Sequence, residues 1–154
     1  MAAGKNAASD ILARRGFACV DADSLVHQAL ARPEVQKQVL AAFGALAAGR
    51  GLSLTMPAPD GSGLQVLNRR ALGALLFSDR SLLLRQEAIL HPHVDALIDD
   101  FIQAHPGQDI VLNATVLYKT ASMARSSCVL FVDAPLPLRF FRARRRDGMK
   151  ARQI

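Results

Sequence analysis

A glycine and a lysine near the start of the chain stand directly before a helical pattern of residues. Gly4 and Lys5 match the end of the phosphate-binding motif G-x-x-x-x-G-K-[ST], which lies between a buried strand and a helix. Apolar residues in segment 7–15 recur at helical spacing, as the motif requires. Glycine lets backbone amides approach a phosphate closely, and the helix adds the positive end of its dipole. The pattern therefore predicts an α/β fold that binds phosphate groups.

Only the second half of this motif is present. Asn6 stands where a Ser or Thr hydroxyl normally holds Mg²⁺, and the carbonyl oxygen of Asn6 is a substitute ligand. We expect the reading frame to begin before Met1, with about four to six apolar residues and a glycine, because a parallel sheet without its central strand leaves backbone groups unpaired. From residues 1–6 alone, a chance Gly-Lys pair in an N-terminal stub is the alternative that stays open.

Composition narrows the class of partner. A formal charge of +6 over 154 residues favours an anionic partner such as a nucleotide, a nucleic acid or an acidic surface. The sequence has no run of about 18 apolar residues and no secretory signal, so we expect no membrane partner and a cytoplasmic location. Cys19 and Cys128 lie in apolar surroundings and are predicted to be small buried thiols in a reducing compartment.

Short apolar segments alternate with helical patterns, which indicates an α/β fold with a parallel sheet. The middle of the chain is helical and looks like an insertion, with a loop or weak hairpin at 49–63 and a kink or break expected at Pro92. The predicted strands are 17–20, 110–112 and 128–132, and the predicted helices are 5–15, 22–31, 33–47, 69–77, 79–91, 94–104 and 135–146.

Two carboxylates, Asp21 and Asp23, directly follow the first predicted strand. Ligands bind at the carboxyl ends of strands in open parallel sheets, and residues two apart in an extended chain point the same way. Both carboxylates are therefore expected to face the phosphate loop, where one accepts a hydroxyl proton and another holds Mg²⁺. The alternative that stays open is that one of them only caps the following helix.

Three arginines share one face of the last predicted helix. Arg139, Arg142 and Arg146 stand at i, i+3 and i+7, and their planar, permanently charged groups suit phosphate. A solvated basic face explains the charge alone equally well. Nucleic acid is not the expected partner, because Phe140 and Phe141 are assigned to the core and then offer no stacking platform.

The segment His91-Pro92-His93 resembles a metal-binding pair, but no Cys, Glu or third His stands at ligand spacing. We therefore expect no metal there. His91 is instead expected to form hydrogen bonds at a helix break that faces a cleft.

Several segments together, in order along nearly the whole chain, resemble the dephospho-coenzyme A kinase family. Each match is weak alone, but their order and spacing are specific. The segments are Gly4-Lys5 for the phosphate loop, 20–23 for Asp-x-Asp, 68–72 for D-R-x-x-L, 76–79 for V-F-x-D, 90–94 for H-P-x-[IV], 130–135 for the V-D-x-P strand, and 142 with 146–148 for the arginine-bearing lid.

The chain departs from the family pattern at particular positions. Asn6 replaces Ser or Thr, Asn113-Ala114-Thr115 stands where the family usually has D-x-P, and Lys119 stands where it usually has Glu. The family continues beyond Ile154 with elements that help hold the adenine. We therefore expect residues 1–154 alone to bind ATP weakly and to turn over little substrate.

The resemblance implies a P-loop NTPase-like α/β fold with a parallel sheet, helices on both faces, an inserted helical substrate subdomain and a lid helix. It implies one domain over 1–154, made of a nucleotide-binding core, a substrate subdomain and a lid. The core is expected at about 1–31 and 108–135, the substrate subdomain at about 32–107 and the lid at about 136–154.

The implied reaction is ATP-dependent phosphorylation of the ribose 3′-hydroxyl of dephospho-coenzyme A, the last step of coenzyme A synthesis, with ATP and Mg²⁺ as cofactors. The resemblance makes Asp23 the catalytic base. The implied site residues are Asp23, Lys5, Arg142 and Arg146 for catalysis; Ala2, Ala3, Gly4, Lys5, Asn6 and Ala7 for cofactor binding; Asp21, Asp23, Arg69, His91 and Pro92 for substrate binding; and Asn6 with Asp21 for Mg²⁺.

Two other functions stay open. One is a different small-metabolite or nucleoside kinase of the same fold. The other is an inactive, truncated homologue that binds anions. The sequence leaves the oligomeric state undetermined.

Overall fold

The computed structural model describes residues 3–58, 61–114 and 124–147, and for 146 and 147 it describes the backbone only. The chain forms two compact units, Met1–Asp21 with Ala104–Ile154, and Ala22–Gln103. In chain order the elements are α1 (Lys5–Arg14), β1 (Ala18–Asp21), α2 (Ala22–Ala31), α3 (Pro33–Gly49), β2 (Thr55–Pro57), β3 (Gln65–Leu67), α4 (Arg69–Leu76), α5 (Arg80–Ala104), β4 (Ile110–Asn113) and α6 (Leu136–Asp147).

The first unit is built on a parallel pair of strands. β1 pairs with β4 in a register that runs from Ala18 opposite Ile110 to Asp21 opposite Asn113, and α1 contacts both strands. Gly16, whose φ is 93°, lets the chain leave α1 in a left-handed conformation and turn into β1. Parallel neighbours need a long crossover, which here is the whole second unit. The predicted α/β class with a parallel sheet is confirmed.

The second unit is helical apart from one hairpin. Pro33 begins α3, as its fixed φ favours, and the apolar residues of that helix at spacings of three and four are buried. β2 and β3 pair antiparallel, so the weak hairpin is confirmed but lies at 55–67. Asn68 caps α4 by accepting a hydrogen bond from the Ala71 amide at 3.1 Å.

Pro92 does not break α5, which is continuous from Arg80 to Ala104, so the expected break is wrong. A proline inside a helix removes one hydrogen bond and costs about 3 kcal/mol. Leu90, Val94 and Ile98 stand at i, i+4 and i+8 and are all buried, and this burial outweighs the cost. Asp79 precedes the helix and accepts a hydrogen bond from the Ser81 amide at 2.7 Å, which lowers the pKa of Asp79.

The strand predicted at 128–132 is not formed. Val129, Leu130 and Phe131 are 57%, 68% and 83% exposed, and the sheets within the described residues are the pairs β1–β4 and β2–β3. An apolar segment becomes a strand only when a neighbouring strand takes its backbone hydrogen bonds. The prediction was wrong because the composition of the segment shows only its preference for strand conformation. It does not show whether a neighbouring strand is present to pair with it.

Three side chains assigned to the interior are exposed. Phe140 and Phe141 are 37% and 60% exposed, and Cys128 is exposed as well, while Cys19 is partly buried. The core and buried-thiol predictions are therefore wrong for these three, because α6 buries its small residue Ala143 instead and segment 128–132 joins no sheet. The absence of a nucleic-acid partner was predicted partly because Phe140 and Phe141 were expected to be buried. Since both are exposed, they no longer support that prediction, which stays untested. Across 3–58, 61–114 and 124–147, no helix is long and apolar enough to cross a membrane.

Candidate functional site

The chain enters α1 through a left-handed glycine. Gly4 is the N-cap of α1 with φ 110° and ψ 18°, a conformation that side-chain-bearing residues adopt only at a cost. By helix geometry, the amides of Lys5, Asn6 and Ala7 have no intrahelical partner, since the first such bond runs from the Ala8 amide to the Gly4 carbonyl at 3.1 Å. This end of α1 therefore presents donors and a positive dipole end to solvent or to an anion. Ala2 lies outside the described residues.

Lys5 is held at the carboxyl ends of both parallel strands. Its Nζ donates a hydrogen bond to Oδ1 of Asn113 and lies 3.7 Å from Oδ1 of Asp21. Asp21 and Asn113 are register partners, the last residues of β1 and β4. The side chains of Lys5 and Asp21 are 32% and 38% exposed, so the ammonium group is anchored and still accessible.

Asn6 joins the same network through Asn113. Nδ2 of Asn113 donates to Oδ1 of Asn6 at 3.2 Å, and Asn113 is only 7% exposed. Sequence reasoning noted position 113 as a departure from the family but gave it no role. Its position at the end of a predicted strand was the signal that could have found it, because ligand-binding residues collect at the carboxyl ends of parallel strands.

The arginines of α6 have different partners. Nη1 of Arg142 donates to the carbonyl oxygen of Ala3 at 3.0 Å, so this guanidinium group lies against the candidate phosphate loop. Arg139 instead forms an ion pair with Asp133, with 3.8 Å between Nη1 and Oδ1. The side chain of Arg146 lies outside the described residues.

Asp23 lies in the first turn of α2, where it is exposed. The orientation expected for an extended chain does not apply to the Asp21 and Asp23 pair, because α2 begins at Ala22. Asp23 belongs to the second unit, whereas Asp21 belongs to the first. The role of Asp23 as a base is therefore a proposal that rests on the family resemblance.

The remaining predicted substrate residues also belong to the second unit. Arg69 is exposed at the start of α4. His91 is partly exposed within the continuous α5, so its expected place at a helix break is wrong, and Pro92 is exposed. A cavity of about 470 Å³ in the same unit is lined by the second half of α3 and by residues 51–55, and contains none of these side chains.

The predicted magnesium ligands offer one amide oxygen and one carboxylate. Oδ1 of Asn6 accepts a hydrogen bond from Asn113, and Asp21 faces Lys5. Among the described residues, no group of three or more His, Cys, Asp or Glu side chains could hold a metal ion. Magnesium is often bound through one or two carboxylates together with phosphate oxygens and water. This donor set therefore fits magnesium that arrives with phosphate groups, and not a site made of protein alone.

Comparison with known proteins agrees with this geometry. The sequence model of the CoaE family, described as dephospho-CoA kinase, matches residues 1–154. The dephospho-CoA kinase of Treponema denticola is 35% identical over 155 residues, covering 98% of this chain and 66% of that protein. That of Treponema pallidum is 39% identical over 148 residues, covering 94% of this chain and 66% of that protein.

A solved structure shows the same fold. The crystal structure of TT1252 from Thermus thermophilus superposes with a TM-score of 0.76 at 25% identity, covering 99% of this chain and 71% of that one. The chain spans about two thirds of the length of the first curated relatives that it matches. Because the family model covers all of its residues, the chain belongs to the dephospho-CoA kinase family.

Proposed function

We propose that the chain carries out ATP-dependent phosphorylation of the ribose 3′-hydroxyl of dephospho-CoA, which gives coenzyme A. One observation carries this proposal. An accessible lysine, Lys5, follows a left-handed glycine at the start of α1 and is anchored by Asp21 and Asn113 at the carboxyl ends of two parallel strands. Such a group, beside helix amides, is suited to the phosphates of a nucleotide.

The chemistry of Lys5 supports this role. An ammonium group has three N–H donors. One is directed to Oδ1 of Asn113 and Asp21 lies 3.7 Å away, which leaves the exposed side of the group for a phosphate oxygen. The amides of Ala3, Gly4, Lys5, Asn6 and Ala7, together with Ala2 by resemblance, supply the rest of the proposed ATP contacts.

Arg142 is proposed to neutralise charge on the transferring phosphoryl group. Its guanidinium group already lies at the loop, 3.0 Å from the Ala3 carbonyl oxygen, and phosphoryl transfer depends mainly on positioning and electrostatic stabilisation. Arg146 is proposed to share this role by resemblance, as part of a lid at 136–154.

The acceptor side of the reaction is proposed from the family resemblance. Asp23 would accept or orient the proton of the ribose hydroxyl, and Arg69, His91 and Pro92 would contact dephospho-CoA in a substrate subdomain at about 32–107. Magnesium would be held by Asp21 and Asn6 and would neutralise charge on the phosphates of ATP. The family also leads us to propose that the protein acts in the cytoplasm.

The experiment is a product assay with two lysine variants. Coenzyme A formed from dephospho-CoA and Mg·ATP is measured by mass spectrometry, which detects small amounts of product. Lys5→Met should abolish the product. Lys37→Met, which changes an exposed lysine of α3, should leave product formation as in the parent chain.

The same assay separates the alternatives. Equal turnover by the parent and Lys5→Met would refute the proposed role of the loop. Preference for a nucleoside in a panel of acceptors would favour a different kinase of this fold. If no acceptor reacts and an NMR titration detects pyrophosphate binding, the anion-binding homologue is favoured.

A further inference from the structure

Asn113 is the only buried polar residue in the part of the chain that the structure describes. Both ends of its amide are used, since Oδ1 accepts from Nζ of Lys5 and Nδ2 donates to Oδ1 of Asn6 at 3.2 Å. A buried amide that loses a partner costs free energy, so these two hydrogen bonds fix the orientation of the side chain. Lys5 and Asn6 are therefore tied to one residue that is itself locked in the sheet.

We propose that Asn113 is a positioning residue for the candidate phosphate site. Its oxygen end directs the ammonium group of Lys5, and its nitrogen end directs the carbonyl oxygen of Asn6. This inference rests on the proposed binding of ATP at the start of α1. It adds a residue from β4 to a site otherwise built from α1, β1 and Arg142 of α6.

The two ends of the Asn113 amide have separate functions in this role. Asp21, its register partner, already places one carboxylate 3.7 Å from Lys5. The carboxylate that the family usually has at position 113 would keep an acceptor for Lys5 and would lose the N–H that Asn6 accepts. The nitrogen end of Asn113, and with it the hydrogen bond to Asn6, is therefore what the amide adds in this chain.

Three single variants test the role, with ATP affinity measured by NMR titration because that method reports weak binding. Asn113→Leu keeps the size and removes both hydrogen bonds, and should weaken ATP binding about tenfold. Asn113→Asp keeps an acceptor for Lys5, as the family usually has at this position, and should change the affinity for Mg·ATP less than about threefold. Gln108→Glu, an exposed residue just before β4, makes the same charge change and should leave the affinity unchanged.

A double-variant cycle separates positioning from a merely structural role. If Asn113 acts through Lys5, then Asn113→Leu in a Lys5→Met background should change ATP affinity less than about twofold. The same loss in both backgrounds would overturn the proposal, and so would unchanged affinity in a folded Asn113→Leu variant. If thermal unfolding shows that Asn113→Leu does not fold, Asn113→Ala, which also removes both hydrogen bonds, takes its place in the cycle.

An NMR readout decides the case in which no chain binds ATP. The proposed function then fails, and the positioning role is judged from the side-chain amide resonances of Asn113. Lys5→Met and Asn6→Ala should each shift them, whereas Gln108→Glu should not. If neither Lys5→Met nor Asn6→Ala shifts the side-chain amide resonances of Asn113, that result alone would overturn the positioning role.

Discussion

Nη1 of Arg142 donates a hydrogen bond to the carbonyl oxygen of Ala3 at 3.0 Å. The same nitrogen lies 3.4 Å from the point where a Cβ atom on Gly4 would be. Ala3 and Gly4 therefore both lie against the guanidinium group of Arg142. The loop conformation and the position of α6 are coupled through this contact.

Gly4→Ala should destabilise the protein. Its φ of 110° is strained for alanine, so the free energy of unfolding should fall by about 1–3 kcal/mol. Gly44→Ala is the matched control, because Gly44 has no atom within 4 Å of its Cβ position and lies inside α3. That variant should be neutral or up to about 1 kcal/mol more stable. Urea denaturation measures both, and equal effects would contradict the assigned strain.

Arg142→Ala should lower turnover of dephospho-CoA by about tenfold or more, because it removes the charge that is proposed to act at the phosphates. Arg144→Ala removes an exposed arginine of the same helix and should leave the rate near that of the parent. Steady-state kinetics with Mg·ATP compares the two. A similar loss in both variants would mean that the basic face acts only through its overall charge.

Asp23→Asn should lower turnover by about 10²-fold or more while ATP affinity is kept. The substitution keeps the size of the side chain and removes the charge that is proposed to accept or orient the hydroxyl proton. Asp21→Asn should act mainly through Lys5 and Mg²⁺, since Asp21 lies 3.7 Å from the ammonium group. Turnover and ATP affinity are measured for both. If Asp23→Asn is fully active and Asp21→Asn is inactive, the roles proposed for Asp23 and Asp21 must be exchanged.

A strand added before Met1 should stabilise the first unit. The sheet of this unit has only β1 and β4 among the described residues, and the apolar segment 128–132 is exposed and forms no strand. A fusion of about five β-branched residues and one glycine should raise the melting temperature, because a two-stranded sheet is marginal alone. A Gly/Ser fusion of equal length is the control. Equal melting temperatures for the two fusions would count against an open sheet edge.

The sequence predicted those helices and strands that depend on the local pattern of residues. The helix after Gly4, the strand ending at Asp21 and the proline that begins α3 follow from spacing, capping and backbone preference, and each is present. Two predictions were wrong, the strand at 128–132 and a helix break at Pro92, and each has its own cause. Segment 128–132 has no neighbouring strand to take its backbone hydrogen bonds. Pro92 is tolerated inside α5 because the burial of nearby apolar side chains offsets the hydrogen bond that proline removes.

The contacts of the candidate site were harder to predict. The hydrogen bond between Lys5 and Asn113 joins residues 108 positions apart, and that between Arg142 and Ala3 joins residues 139 positions apart. No periodicity or spacing rule reports such pairs. The family resemblance supplied the candidate residues, but only the strand register shows why Asp21 and Asn113 meet at Lys5.

The insertion of Ala22–Gln103 between β1 and β4 also has a kinetic consequence. Helices and a hairpin form through near neighbours, whereas Ala18 can meet Ile110 only after a long chain segment has closed. We expect the inserted unit to gain structure early in folding and to shorten the effective distance between the two strands. The contacts of Lys5 with Asp21 and Asn113 would then form late, when β1 and β4 pair. Any change that slows the folding of the inserted unit would delay them.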